Sequence, residues 1–140
     1  MVKMPEDLVL LLNEWHTIPV ATVGKEGKPN VAGKSLMVRD NESLIWGELY
    51  FMQTYENLLQ NPVASICVWQ RKPPYKAYKM NGRVEIHEDD AVADQLNEHM
   101  RMGHGADFKP RKKKMAAVVF LVEEIYDQTP RLESGGKRIM

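Results

Sequence analysis

Two short segments have the residue types of an anion site. In Gly33-Lys34-Ser35 a lysine sits in a strand-like run, and Ala32, Leu36 and Val38 on its own face are apolar. A charge on such a face needs a partner or a route to solvent. Thr54-Tyr55-Glu56-Asn57 reads as a helix start. There the Thr54 hydroxyl can cap the first turn, and the unpaired N–H groups and positive dipole end attract a phosphate or carboxylate. If Lys34 faces that helix start, the two segments share one anion. The other reading pairs Lys34 with Glu48 across a hairpin and leaves Thr54 as a plain cap. The residues alone weigh the two evenly. Other chemistry has little to stand on. The histidines are His16, His87, His99 and His104, and no two have the i, i+4 spacing of a helical metal site. The phosphate-loop, dinucleotide and nucleophile-elbow motifs are missing. The single Cys67, between Ile66 and Val68, reads as a buried structural thiol. No side chain is an obvious general base, so no catalytic residue is assigned. The run Lys109 to Lys114 could touch nucleic acid or anionic lipid, but without interleaved aromatics it reads as a solvated loop.

The elements that must position these residues are mostly strands. Pro5-Glu6-Asp7 starts a helix whose Leu8, Leu11, Leu12 and Trp15 fall on one face. Strands are expected at Ile18 to Val23, Val31 to Val38 and Leu44 to Tyr50, separated by the turn clusters Lys25 to Pro29 and Asp40 to Ser43. A short helix from Thr54 to Gln60 stops at Asn61-Pro62. Strands follow at Val63 to Trp69 and Tyr75 to His87, with Gly82 at a bulge or kink. Asp89 or Asp90 caps a helix through Met100, with Val92, Leu96 and Met100 inward. Gly103 ends it. Met115 to Tyr126 is the last and most apolar strand. Residues 129–140, with Pro130 and Gly135-Gly136, read as a tail that is flexible or packed on a partner subunit. Strands arranged in hairpins, without helical crossovers, predict an antiparallel barrel or sandwich with helices at its ends.

Composition narrows the function classes. The chain has 140 residues, 19 Lys+Arg against 19 Asp+Glu, 44% apolar and 27% charged residues. That is a single domain's worth of globular protein, with no basic excess to drive nucleic-acid binding and no run of about 18 apolar residues to cross a bilayer. No leader peptide is evident, and a cytoplasmic setting is expected.

Pro29-Asn30-Val31-Ala32-Gly33-Lys34-Ser35, then Trp46-Gly47-Glu48, then Thr54 to Pro62 resemble, in this order, the pyridoxamine 5'-phosphate oxidase-like FMN-binding split-barrel family, its short members above all. Tyr78 to Ile86 resembles that family's strand with a glycine before an apolar-acidic alternation, and Ile125 to Pro130 its last strand and exit. The resemblance covers nearly the whole chain. It implies an α+β fold, mainly β: a six-stranded antiparallel split β-barrel with short flanking helices, over residues 1–128. It also implies a homodimer with two FMN molecules at the interface, and oxidoreductase chemistry carried by the flavin. By the same resemblance Lys34 meets the phosphate with Gly33 and Ser35 beside it, Gly47 and Glu48 pass under the ring edge, and Thr54 and Asn57 belong to the helix-start site. Gln53 stands where many members have a lysine, which removes one phosphate cation. Lys79 stands where many have glutamine, which puts a positive charge near the flavin or substrate. Trp46, Phe51, Trp69 and Phe120 would supply aromatic surface to the subunit interface. The alternatives are a non-enzymatic flavin carrier, a deazaflavin- or haem-binding member of the same fold, or a structural protein with an empty groove.

Overall fold

A computed structural model describes residues 1–104, 114–133 and 135–140 of the chain. The basic run from Lys109 therefore lies outside the described residues, Lys114 excepted. In chain order the elements are α1 (Glu6–Glu14), β1 (Ile18–Val23), β2 (Pro29–Lys34), β3 (Met37–Asp40), β4 (Ser43–Glu48), α2 (Gln53–Gln60), β5 (Val63–Trp69), β6 (Ala77–His87), α3 (Ala91–His104), β7 (Ala116–Asp127) and β8 (Lys137–Arg138). The sheet order is β2-β1-β5-β6-β7-β4-β3, with β8 on the far end of β7. Every pairing is antiparallel. This is the curled half-barrel of the split-barrel fold that the sequence predicted.

The strand count differs, and the difference makes the barrel. The run predicted as one strand, Val31 to Val38, is two. β2 pairs only with β1, from Ile18 opposite Lys34 to Val23 opposite Pro29. β3 pairs only with β4. The two are the opposite edges of the sheet path, so the corner at Ser35-Leu36 carries the chain from one edge to the other and curls the sheet. Leu36 is buried and anchors that corner in the core. Tail residues 137–138 form β8 against Tyr126 and Asp127 of the same chain.

The strongest sequence signal sits at the centre. Every residue from Ala116 to Val122 in β7 is buried, because β6 and β4 flank it and helices or barrel core cover both its faces. The core gathers Leu8, Leu11 and Leu12 of α1 with Ile18, Val20, Leu44, Trp46, Ile66, Met80 and Phe120. Trp46 and Phe120 are fully buried and Phe51 nearly so; among the four aromatics expected at an interface, Trp69 alone is exposed. Trp46 and Phe120 fill this chain's own barrel, where each large side chain contributes about 1.5–3 kcal/mol, and Phe51 packs with Tyr55 and Ala116. Gly82 does mark a bulge: the register of β6 against β7 shifts between Asn81 and Gly82, and a Cβ there would stand 2.1 Å from the Leu121 carbonyl. α3 begins as expected, with Asp90 accepting the Ala93 N–H at 2.9 Å. It runs through Gly103 to His104 rather than stopping at that glycine.

Candidate functional site

The corner after β2 sets Lys34 beside the end of β4, and a cleft of about 240 Å³ opens there. Five predicted residues, Gly33, Lys34, Ser35, Gly47 and Glu48, share its lining. They come from two segments, 33–35 and 47–48, more than ten residues apart in the chain, and the sheet's curl brings them together. The turn Leu49-Tyr50-Phe51-Met52 and Met100 of α3 complete the wall. Nothing in the sequence pattern pointed to Met37 or Met100 as lining this site. The turn residues could have been found, because they join two predicted motifs.

Lys34 is paired. Its Nζ lies 3.0 Å from Oε1 and 3.2 Å from Oε2 of Glu48. Glu48 is 2% exposed, and the Trp46 indole N–H donates to its Oε1 at 2.9 Å. The ion pair anticipated as one of two readings is therefore present, and Lys34 still keeps an edge toward the cleft at 19% side-chain exposure. Because β2 and β4 are not neighbours in the sheet, the pair closes the barrel corner, not a hairpin. Gly33 and Gly47 are packing requirements here: a Cβ would stand 2.6 Å from Thr17 at the first and 2.5 Å from the Met115 sulfur at the second.

The helix start is built differently from the sequence reading. α2 begins at Gln53 with Met52 as its N-cap, and no side chain caps it. Thr54 is buried inside the first turn, and its hydroxyl accepts from Asn30 Nδ2 at 3.1 Å. Asn57 is buried too and donates to Thr22 Oγ1 at 3.0 Å. The same Thr22 oxygen accepts from Asn30 at 3.2 Å, and Gln53 donates to Asn57 Oδ1 at 2.7 Å. Thr54 and Asn57 thus pin α2 to β1 and β2 through a connected buried network. A cap was expected because threonine favours that position. Asn30 on the neighbouring strand β2 claims the hydroxyl instead.

Lys79 lies apart from this group. It stands opposite Cys67 in the β5–β6 pairing, and its ammonium sits 4.4 Å from the Tyr126 ring centre. Burial raises the Cys67 thiol pKa, with the Lys79 charge opposing it, so the thiolate is disfavoured. Behind the cleft the Tyr55 hydroxyl donates to Glu88 at 2.7 Å. Burial first, then that hydrogen bond and the charges of Glu88 and Glu48, push its pKa up to about 12. A larger hollow of about 450 Å³ lies across β1, β5, β6 and β7, where Glu123 and Glu124 supply its charged lining. None of the nine predicted site residues lines it, and its acidic lining does not suit an anion.

The family model for pyridoxamine 5'-phosphate oxidase matches residues 4–129. Among solved structures, HupZ from Group A Streptococcus superposes with a TM-score of 0.78 at 22% identity, covering 96% of this chain and 98% of that one. An F420 reductase gives a TM-score of 0.66 at 25% identity, over 87% and 98% of the two chains. An FMN-binding protein from Syntrophomonas wolfei gives 0.67 at 16% identity, over 87% and 82%. No curated protein sequence matches the chain.

Proposed function

The chain belongs to the pyridoxamine 5'-phosphate oxidase family, and on that premise we propose that it binds FMN in the cleft between Lys34 and the start of α2 and serves in flavin redox chemistry. The observation that carries the reading is the gathering of Gly33, Lys34, Ser35, Gly47 and Glu48 on one concave surface beside a helix N-terminus. The donor set fits a phosphate-bearing ligand: one ammonium, the Ser35 hydroxyl and the first-turn N–H groups of α2. Lys34, Ser35 and those groups would hold the phosphate, and Gly47 with the turn after it would face the rest of the molecule. When bound, the flavin supplies the electron transfer, while the protein supplies binding and orientation. At about 240 Å³ the cleft is smaller than a usual site for a ligand of this size, so a second subunit completing it belongs to the reading. So does a cytoplasmic setting.

A deazaflavin nucleotide is the second reading. The F420 reductase likeness favours it, and so does the pairing of Lys34 with Glu48, since a phosphodiester carries one charge where FMN carries two. Titrating the purified protein with FMN, riboflavin and F420 while following ligand fluorescence tests both. FMN binding with reduction by NADH or NADPH supports a flavin enzyme, and binding without reduction supports a carrier. Binding of none of the three would remove the proposal.

A further inference from the structure

The cleft's charge balance bears on how its ligand is held. Among the described residues, Lys34 and Glu48 are the charged side chains in its lining, and they cancel. Glu48 is not an adaptable surface acid. It is 2% exposed and closes the last position of β4, opposite Ala116 of β7. The Trp46 indole holds one of its oxygens, and both oxygens lie within 3.2 Å of Lys34 Nζ. Its charge is felt around the site, since it helps to raise the Tyr55 hydroxyl behind the cleft. Gln53, on the first turn of α2, brings no second cation, and its amide is spent on Asn57.

A phosphate that reaches Lys34 must therefore share the ammonium with a fixed carboxylate and sit near it. Like charges that close oppose each other strongly where water is excluded. We propose that Glu48 is a specificity-determining residue that weakens the hold on a phosphate dianion, so that FMN exchanges with solution instead of staying as a permanently bound group. This rests on the flavin reading above. It makes the flavin a dissociable reactant or cargo of the site.

The test measures dissociation constants for FMN and riboflavin in the wild-type protein, Glu48→Gln, Glu48→Met, Lys34→Ala and the double variant Lys34→Ala/Glu48→Gln. Thermal unfolding of each protein shows which variants fold; Glu48→Met serves if Glu48→Gln does not. Glutamine keeps the volume and the oxygen that Trp46 donates to. The expected wild-type preference for FMN over riboflavin is small. Neutralising Glu48 should tighten FMN by about tenfold or more with riboflavin little changed. It should also slow FMN release and restore FMN binding in the Lys34→Ala background, where a lone buried carboxylate would otherwise face the phosphate. A folded Glu48 variant whose FMN-to-riboflavin ratio equals the wild type overturns the role given to Glu48 and leaves the flavin reading standing. Failure of every folded protein to bind either flavin overturns both.

Discussion

At the scale of single residues the Lys34–Glu48 pair sets the charge balance of the cleft lining. Lys34→Ala removes the ammonium and strands a buried carboxylate, so FMN affinity should fall by about ten- to over a hundredfold, the value of a charge-assisted contact of roughly 1.5–3 kcal/mol. Riboflavin, without the phosphate, should be affected far less. Isothermal titration with both ligands checks this, and equal losses would mean that Lys34 acts through folding. Tyr55 makes a separate prediction. Its pKa is raised from 10.0 to about 12 in the folded protein, so the folded state holds the phenol proton more tightly than the unfolded chain does. Its contribution is fully present below pH 10 and is lost as the pH rises toward 12, at most roughly 3 kcal/mol for a two-unit shift. Urea unfolding between pH 9 and 12 should show that decline, and Tyr55→Phe should flatten it.

At the scale of elements, two joints can be tested. The first is α2 on β1 and β2, held by Thr22, Asn30, Thr54, Asn57 and Gln53. Thr54→Ala should cost about 1 kcal/mol of stability, because it deletes an acceptor inside the network and not a cap. Gln53 is exposed, and Gln53→Lys should tighten FMN by adding a cation at the positive end of α2. A folded Gln53→Lys protein with unchanged FMN affinity would move the phosphate away from this helix. The second joint is the β6–β7 bulge. A methyl group at Gly82 meets a backbone carbonyl at 2.1 Å, whereas at Gly47 it meets the flexible Met115 side chain. Gly82→Ala should therefore cost about 3 kcal/mol or more and Gly47→Ala about 1 kcal/mol, read from chemical denaturation.

At the scale of the whole molecule, the curl of one sheet brings the end of β2 beside the end of β4, where Lys34 meets Glu48. The cleft forms at that meeting, on the corner between β2 and β3. The cleft of one chain measures about 240 Å³, small for a flavin nucleotide, and the proposed site therefore includes a second copy. Three of the four aromatic residues first expected at that interface, Trp46, Phe51 and Phe120, are buried within this chain, and Trp69 alone stays exposed, so a proposed interface must draw mostly on other surface. Light scattering at micromolar concentration should give a dimer, and a monomer that still binds FMN would show that one chain suffices.

Much of this was legible in the sequence because it rests on local rules. The period-two and apolar runs of β1, β5 and β7 gave their ends to within a residue or so, since a strand buried on one or both faces leaves its pattern in the chain. The Asp90 cap and the Gly82 bulge were legible for the same reason: short-range geometry admits few residue types. Gly33, Lys34, Ser35, Gly47 and Glu48 could be singled out as candidates, but whether Lys34 meets a ligand or Glu48 could not. That choice depends on a corner at Ser35-Leu36, which no local signal marks, because the chain is extended on both sides of it. Thr54 shows the same limit. Its type permits a cap or a buried hydrogen bond, and only the arrival of Asn30 from a strand 24 residues earlier selects the second. Local propensity determined which segments are strands and helices. The closing of the sheet decided which polar groups meet, because each buried polar group takes the partner that folding brings within reach.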